Sequence, residues 1–551
     1  MKDHQTEPRK FMKHHKEPIR AGETLSPKKP ASHSYKLKVP GMIQLAVAVL
    51  IFVLQCVLLV LISMKMAKIS SFYLLTGIQI AGLLLVIYIN QRPRNVSYAQ
   101  AWTIVILLFP ILGILLYLFW GREGRFPEKL ARKNEAFQRL LPFFPDNQKL
   151  LSSLPERCLK AGDCLQLHYL SGHHFPIYRG GKGQYFPNGE SQFEQMFQDI
   201  EKAKHYIFIE YFIIADGIIW NKMERLLIQK AREGVEIRLF YDDCGSIMKA
   251  PTDLIQRLSA SGIQVVNFNP VHRYLSRLYV NYRLHQKVCV VDGTVCWVGG
   301  ANLADEYANI IERYGYWKDT ALRFEGDIAG GCALGFLLLW EMERGKGEED
   351  YSRFFPVKEG DAPEEADGDV IHVPFWDGPL LFEDNPAKAI HHSLITTATK
   401  TLYISSPYVL LDDQLMRDIC RAAESGVDVR LLIPGIPDKK NVYILTTAGF
   451  GPLLKSGVRV FSYNPGFIHA KSICADGGRA ILGSINLDFR SFYLNYENAI
   501  YVSDPELVQS METDFLKTLE DCREISYKEW QKRPITHKFM EIFLKMIMPL
   551  M

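Results

Sequence analysis

Hydrophobic and polar positions follow the same order twice along the chain. From about residue 165, short apolar runs suited to buried strands are followed by stretches with helical spacing. The pattern predicts a strand, a helix and a strand at 206–212, 220–232 and 234–240, and again at 402–408, 414–423 and 426–432. Both closing strands begin with Gly-Val, an acid, any residue, Arg and Leu, 192 residues apart. Strands alternating with helices therefore predict a duplicated α/β unit with mixed or mainly parallel sheets.

Three uncharged apolar runs precede this region, at residues 41–64, 72–89 and 102–120. Each is about long enough to cross a hydrocarbon core of ~30 Å at ~1.5 Å per residue. The alternative is that these runs form buried core helices. Their close spacing argues against it, as do Trp102, Trp120 and the basic flanks. We therefore predict a membrane anchor at 40–121 with three apolar spans.

Basic residues flank the anchor on both sides. Residues 1–39 hold ten Lys or Arg against four Asp or Glu, which is typical of a disordered cytoplasmic arm near anionic lipid. The connector at 122–164 also begins with basic residues, yet three spans would place the two flanks on opposite sides of the membrane. Two or three spans and the sidedness stay open, and we favour a main body at the cytoplasmic face.

Composition excludes several classes of protein. The net charge is only +3 over 551 residues, which argues against a nucleic-acid binder. The ten cysteines show no C-x-x-C pair and no zinc spacing, so neither a disulfide framework nor a metal site is predicted. We expect no cofactor and no nucleic-acid partner.

The candidate chemistry lies in a motif of the form His-x-Lys-x4-Asp that occurs twice, 184 residues apart, with an Asn 17 residues after each His. Its members are His285, Lys287, Asp292 and Asn302 in the first copy, and His469, Lys471, Asp476 and Asn486 in the second. A strand period of two places His and Lys on one face. Two such strands would bring imidazoles, ammonium groups and amides to one pocket, which suits phosphodiester cleavage or transfer without a metal.

The duplicated motif resembles the mark of the phospholipase D superfamily, and its flanks resemble the bacterial cardiolipin synthases. The flanking matches are Ile209-Glu-Tyr211, Gly299-Gly-Ala-Asn302, Tyr316-Trp-Lys-Asp319, Ser406-Pro-Tyr408 and Gly466-Phe-Ile-His469. The resemblance covers nearly everything from about residue 70 to the end. With the repeat, it implies phospholipase D-like α/β/α sandwich halves at 165–343 and 370–525, a linker at 344–369, and an active site at their pseudo-twofold interface.

The resemblance also implies roles for single residues. His285 is expected as the nucleophile and His469 as the acid and base, although the symmetry of the motif alone leaves their order open. Lys287, Lys471, Asn302 and Asn486 are expected to hold the phosphoryl oxygens, and Ser484 to add a hydroxyl in the second half only. Asp319 and Glu497 are expected to orient the histidines. Asp292 and Asp476 belong to the motif, but their place at strand ends favours a turn-capping role.

The activity implied is phosphatidyl transfer between two phosphatidylglycerol molecules through a phosphohistidine, giving cardiolipin and glycerol in a bacterial cell membrane. Phospholipid hydrolysis, phosphatidylserine synthesis, a nuclease and a non-catalytic scaffold are the alternatives. The tail at 526–551 is predicted as an amphipathic helix, either packed on the main body or lying on the bilayer. The acceptor alcohol, the acyl preference and the oligomeric state stay open.

Overall fold

Two β-sheets, one from each half of the chain, form the centre of a computed structural model that describes residues 57, 70–91, 95–121, 126–153, 161–270, 281–355 and 370–550. The strands in chain order are β1 (Tyr178–Arg179), β2 (Lys182–Phe186), β3 (Tyr206–Tyr211), β4 (Glu236–Asp242), β5 (Gln264–Phe268), β6 (Arg283–Leu284), β7 (Lys287–Val291), β8 (Val295–Gly299), β9 (Tyr316–Lys318), β10 (Ala321–Glu325), β11 (Ile371–Asp377), β12 (Thr401–Ser405), β13 (Asp428–Pro434), β14 (Arg459–Tyr463), β15 (Gly466–Ile468), β16 (Ser472–Ala475), β17 (Arg479–Gly483), β18 (Asn495–Ser503) and β19 (Cys522–Ile525).

Helices connect and cover these strands. In chain order the α-helices are α1 (Ser70–Gln91), α2 (Val96–Leu108), α3 (Pro110–Leu116), α4 (Pro127–Leu140), α5 (Asn147–Ser153), α6 (Ala161–Gly172), α7 (Gly189–Glu201), α8 (Ile218–Arg232), α9 (Asp243–Ser246), α10 (Leu254–Ala260), α11 (Ile328–Arg344), α12 (Pro386–Thr396), α13 (Asp413–Glu424), α14 (Lys440–Ala448), α15 (Phe450–Lys455), α16 (Phe489–Tyr493), α17 (Pro505–Leu519), α18 (Tyr527–Gln531) and α19 (Ile535–Ile547).

The strand order of the two sheets confirms the predicted duplication. The first sheet runs β2-β10-β8-β7-β3-β4-β5, and the second contains the run β11-β18-β17-β16-β12-β13-β14 with the same parallel and antiparallel pairs at each step. The second sheet adds β1 and β19 at its edges. Within these two matching runs, only β3-β4-β5 and β12-β13-β14 pair in parallel, so the sheets are mixed rather than mainly parallel.

The repeated Gly-Val pattern marks the point where a helix stops and a strand starts. Gly234 and Gly426 follow α8 and α13 with φ of 91° and 94°, a left-handed conformation that glycine adopts without a Cβ penalty. The residue after each glycine is hydrogen-bonded to the last turn of the preceding helix. The N–H of Val235 donates to the Lys230 carbonyl, and that of Val427 donates to the Ala422 carbonyl. The same helix-to-strand geometry is thus encoded twice.

One hydrophobic core joins the two halves. Val288, Val290 and Val298 of the first sheet share an apolar cluster with Ile473 and Leu482 of the second. Helix α11 is buried along nearly its whole length and packs against strands of both sheets. The two sheets therefore behave as one packed unit around the site.

The apolar runs predicted at the N-terminus are only partly covered by the described helices. The basic arm at 1–39 lies outside the described residues, as does the run at 41–64 apart from Val57. The run at 72–89 lies in α1, whereas the run at 102–120 is broken at Phe109 between α2 and α3. Pro110 is the cause, because proline has no N–H to continue the helix. In the described part of the chain, no helix is both long and apolar enough to cross a lipid bilayer.

The other predicted segments fall as follows. The connector at 122–164 contains α4 and α5 within its described residues. The linker at 344–369 begins at the end of α11, and its residues 356–369 lie outside the described ranges. The tail at 526–551 contains α19, and the short α18 and a turn precede it.

Candidate active site

Each motif lies on a hairpin that ends in the same tight turn. Asp292 and Gly293 have φ of 53° and 65°, and Asp476 and Gly477 have φ of 56° and 67°, which is the type I′ turn that Asp-Gly favours. The Asp292 carboxylate accepts the backbone N–H groups of residues 204–206 at 2.7–2.8 Å, and Asp476 accepts those of residues 399–401. Both carboxylates therefore tie the hairpin to the start of the neighbouring strand and take no place beside the histidines.

The strand before each histidine crosses to the other half of the molecule. β6 pairs in parallel with β18, and the backbone N–H of His285 donates to the Tyr496 carbonyl at 2.9 Å. β15 pairs in parallel with β9, and the N–H of His469 donates to the Lys318 carbonyl at 2.8 Å. The backbone thereby places each histidine next to the residue that follows the accepting carbonyl, which is Glu497 within β18 and Asp319 after β9.

The two histidine–carboxylate pairs are consequently crossed between the halves. Nδ1 of His285 lies 2.8 Å and 2.9 Å from the two oxygens of Glu497. Nδ1 of His469 lies 2.6 Å from Oδ2 of Asp319. A carboxylate at Nδ1 fixes the tautomer in which Nε2 is free to attack phosphorus or to carry a proton. Neither half holds a complete pair of its own.

The two motif lysines lie beside the histidines and are buried. The ammonium groups of Lys287 and Lys471 each donate to the carbonyl of the histidine two residues earlier, and Nζ of Lys471 lies 2.8 Å from Nδ1 of His469. Burial lowers the pKa of Lys287 to about 7 and that of Lys471 to about 8. These lysines bring positive charge to a site that is poorly hydrated, where a phosphate oxygen would bind them strongly.

The two pairs hold their protons differently. Burial lowers the pKa of His285 to about 4, against the opposing effect of Glu497. Burial alone would raise the pKa of Glu497, but His285, Lys287 and the Ser484 hydroxyl together lower it. The first pair is therefore an ionised carboxylate with a neutral imidazole at neutral pH.

The second pair keeps a proton to higher pH. Burial raises the pKa of Asp319 to about 7, with Lys471 opposing the rise. Burial, Lys471 and Lys287 lower the pKa of His469 well below its usual value. Near neutral pH Asp319 is therefore partly protonated, whereas Glu497 is ionised.

Ser484 and its counterpart Gly300 account for part of this difference. The Ser484 hydroxyl is fully buried and donates to Glu497 at 2.5 Å, so the structure places it on the carboxylate rather than on a phosphate site. A Cβ at Gly300 would lie 2.1 Å from Oδ1 of Asp319, which leaves no room for a serine. Glu497 thus gains a hydroxyl donor that Asp319 lacks.

The two motif asparagines are buried but differ in their bonds. Asn302 accepts the Ile213 N–H at 3.0 Å and donates to the Tyr307 hydroxyl at 2.7 Å. The backbone N–H of Asn486 donates to the Ser491 hydroxyl, while its buried Oδ1 has no hydrogen-bond partner among the described residues. Asn302 is therefore held in its loop more firmly than Asn486.

Several residues at the site were not predicted from the sequence. Asn495 donates to Glu497 at 3.1 Å, and Asn498 accepts the Lys287 N–H at 3.3 Å. The ring of Phe212 lies 5.1 Å from that of His285, and Tyr307 and Trp317 each lie 5.3 Å from His469. Alternation along β18 was the one available signal, because it puts Asn495 on the same face as Glu497.

In the described ranges, no group of three or more His, Cys, Asp or Glu residues is placed to hold a metal ion. The described chemistry rests on two imidazoles, two carboxylates and two ammonium groups.

Comparisons with known proteins identify the family. Residues 196–310 and 392–519 match the family model described as cardiolipin synthase, PLD-like domain, and residues 78–122 match that described as phospholipase D-nuclease N-terminal. The chain is 37% identical over 467 residues to an uncharacterized protein of Streptococcus mutans, covering 85% of this chain and 99% of that one. It is 31% identical over 475 residues to a cardiolipin synthase of Geobacillus sp., covering 84% and 91%.

A solved structure supports the fold alone. The phosphatidylserine synthase of Haemophilus influenzae superposes with a TM-score of 0.53 at 14% identity, over 70% of this chain and 100% of that chain. The duplicated halves match a phospholipase D-like fold, and identity of 31–32% extends over most of the chain to several cardiolipin synthases. This chain belongs to the cardiolipin synthase family of the phospholipase D superfamily.

Proposed function

We propose that the protein is a cardiolipin synthase, which transfers the phosphatidyl group of one phosphatidylglycerol to a second and releases glycerol. The observation that carries the proposal is the crossed arrangement of His285 with Glu497 and His469 with Asp319 beside two buried lysines. Such a site supplies a nucleophile, a proton donor and positive charge for one phosphodiester.

In the first step, Nε2 of His285 attacks the phosphorus of phosphatidylglycerol. The bond from phosphorus to the glycerol oxygen breaks, and His469 gives that oxygen its proton. The product on the enzyme is a phosphatidyl-histidine, in which the imidazole ring carries positive charge. An ionised carboxylate at Nδ1 stabilises this charge, and Glu497 is the carboxylate whose pKa is lowered.

In the second step, a hydroxyl of another phosphatidylglycerol attacks the same phosphorus. His469 takes the proton of that hydroxyl, and the bond from phosphorus to Nε2 of His285 breaks. Cardiolipin forms and both histidines return to their initial states. The higher pKa of Asp319 supports His469 as the group that exchanges protons, because its pair holds a proton near neutral pH.

The lysines support both steps by charge. Each phosphoryl transfer passes through a transition state with increased negative charge on the non-bridging oxygens. Lys287 and Lys471 approach from opposite halves, and a bound phosphodiester anion raises their lowered pKa values by direct attraction. The buried Oδ1 of Asn486, which has no partner among the described residues, is an acceptor that can take a hydrogen bond from a substrate hydroxyl.

Hydrolysis would use the same residues with water as acceptor. The side chains of His285 and His469 are only 12% and 8% exposed, so little water reaches the reacting nitrogens. This burial supports transfer to a lipid alcohol over hydrolysis to phosphatidic acid. The net charge of only +3 favours lipid over nucleic acid, whose negative charge calls for a broadly basic surface.

The proposed setting is the bacterial cell membrane, where both substrates reside. Large apolar residues of α1 are exposed, among them Tyr73, Leu84 and Tyr88, which supports anchorage through the region at 40–121. We place the catalytic halves at the cytoplasmic face, because the basic arm at 1–39 favours that side.

The test uses purified protein in vesicles with radiolabelled phosphatidylglycerol as the phospholipid. We expect cardiolipin and free glycerol in equal amounts, and neither product with His285→Ala or His469→Ala. His392→Ala is the matched control, because His392 also pairs with a carboxylate, Asp418, at 2.6 Å but lies on α12. Phosphatidic acid as the main product would make the enzyme a phospholipase, and full activity in either motif variant would contradict the site.

A second substrate separates the two histidines. Phosphatidyl-p-nitrophenol has a leaving group that departs without a proton. His469→Ala should release one equivalent of p-nitrophenol in a burst and retain the lipid on His285, whereas His285→Ala should give no burst. The reverse result would make His469 the nucleophile.

A further inference from the structure

The last helix, α19, exposes an apolar face that the rest of the described chain leaves uncovered. Six large apolar residues on it are between 40% and 83% exposed, namely Ile535, Phe539, Met540, Ile542, Phe543 and Ile547. At ~100° per residue they share one side of the helix, which we call the outward face of α19. Exposed apolar patches of this kind mark surfaces that contact a partner or a membrane.

The opposite side of α19 is fixed to the second half. Leu544 and Met548 pack against a cluster that contains Leu410, Leu445 and Phe489. Glu541 is buried and forms an ion pair with Arg533 at 3.0 Å. Phe489 lies three residues after Asn486, so the helix is joined to the loop that carries the second asparagine of the active site.

The segment that follows α19 contacts the N-terminal helices. After α19, a short 3-10 turn at Met548–Leu550 packs on α2, and Leu550 contacts the cluster of Tyr98, Trp102 and Ile106. Leu107, Leu108 and Phe109, at the end of α2, are exposed. Exposed apolar residues thus occur on both of the helices that meet here.

The charges beside this face are positive. Lys538 and Lys545 are exposed on one flank of α19, and the helix has one acidic residue, Glu541, which is buried and paired. An apolar face with a cationic flank suits the boundary between anionic headgroups and acyl chains. Phosphatidylglycerol, the substrate of the proposed function, is such an anionic lipid.

We propose that α19 lies in the surface of an anionic phospholipid bilayer, with its outward face among the acyl chains. This rests on the proposed function for the identity of the lipid. Because α19 packs on the segment after Asn486, the helix holds the second motif close to the surface that supplies the substrate. The partner is the lipid surface itself rather than a protein.

The first experiment measures contact without relying on turnover. Full-length protein is reconstituted into vesicles that contain a phosphatidylglycerol with a photoactivatable diazirine in its acyl chain, and labelled peptides are mapped by mass spectrometry. We expect lipid adducts within residues 535–547 as well as in the N-terminal helices. Adducts in residues 70–121 but none in 535–547 would overturn the proposal, and this readout holds even if the enzyme makes no cardiolipin.

The second experiment measures the consequence for catalysis. The triple variant Phe539→Ser, Ile542→Ser and Phe543→Ser is compared with Ile255→Ser and Leu516→Ser, which change exposed apolar residues elsewhere. On phosphatidylglycerol vesicles, the lipid concentration for half-maximal rate should rise at least roughly tenfold in the triple variant only. On short-chain phosphatidylglycerol below its critical micelle concentration, its rate should equal that of the wild type.

Three results would refute the lipid role. Unchanged kinetics on vesicles would show that the face does not contact lipid during turnover. An equal loss on vesicles and on monomeric substrate would show that the residues serve only the folding of the second half. Dissociation of a dimer in the triple variant, seen by light scattering, would make the face a contact between two copies of the chain.

Discussion

Replacing Glu497 with Gln tests the crossed pairing most directly. Glu497 is fully buried, lies 2.8 Å and 2.9 Å from Nδ1 of His285, and receives hydrogen bonds from Ser484 and Asn495. Glutamine has nearly the same volume, so the change removes the negative charge and little packing. It also offers an amide N–H that, pointed at Nδ1, would stabilise the wrong tautomer of His285.

The magnitude follows from these contacts. A hydrogen bond to a charged group contributes about 1.5–3 kcal/mol, which corresponds to roughly 10- to 150-fold in rate. Loss of the correct tautomer adds to this, since the same carboxylate-to-amide change in other histidine–carboxylate pairs lowers kcat about 10⁴-fold. We therefore expect kcat for cardiolipin formation to fall roughly 10²- to 10⁴-fold in Glu497→Gln, with KM little changed.

The assay is single-turnover formation of the phosphatidyl-histidine with labelled phosphatidylglycerol, followed by rapid quenching. Glu512→Gln is the matched control, because Glu512 lies in the same half and binds the Gly477 N–H at 3.1 Å away from the histidines. Glu497→Gln should slow formation of the adduct while the control forms it at the wild-type rate. A rate within twofold of the wild type would refute the role of Glu497, and an adduct that maps to His469 would assign the nucleophile to that residue.

Further predictions concern stability and pH. Burial would raise the pKa of Asp476, but backbone N–H groups lower it, so its stabilisation is present above its unfolded pKa and is lost as pH falls through the folded value. Asp476→Asn should therefore reduce Tm more at pH 7 than at pH 3. Burial raises the pKa of Asp319 to about 7, so its ionisation opposes folding as pH rises towards that value. Asp319→Asn should therefore raise Tm at pH 8 and change it little at pH 4, and it should still abolish synthesis. The pKa values of Lys287 and Lys471, lowered by burial to about 7 and about 8, predict that kcat/KM for phosphatidylglycerol declines above this range, and a flat profile to pH 9.5 would contradict it. Gly300→Ser should displace the Asp319 carboxylate and lower kcat, with Gly478→Ser, which has open space around it, as the unaffected control.

Much of the fold follows from local sequence signals. The strand at β7 and the turn at Asp292-Gly293 were predictable because an apolar run followed by Asp-Gly specifies a buried strand and a type I′ turn. Helices α8 and α13 were predictable from their spacing and from the glycine that ends each one. The break at Pro110 could have been predicted from the proline itself. The prediction of one span at 102–120 followed the uniform apolar character of that run instead.

The candidate site was only partly predictable for a physical reason. Spacing shows that His285 and Lys287 share one face of an extended segment, but it does not show what faces them across a domain interface. Contact between β6 and β18 depends on how the two halves pack, so the pairing of His285 with Glu497 required the structure. Ser484 illustrates the same limit, since its hydroxyl bonds a carboxylate that lies on the neighbouring strand.

The two halves share a strand order but do not form equivalent sites, and the inequality suits a reaction with two distinct roles. In one pair a glutamate reaches the histidine and is stabilised in its ionised form by Ser484 and Asn495. In the other a shorter aspartate occupies the space that the glycine at position 300 leaves open. Because each histidine takes its carboxylate from the opposite half, each pair depends on residues of both halves. Duplication therefore supplied two similar histidines, and a few unmatched neighbours shift the pKa values of their two carboxylates in opposite directions.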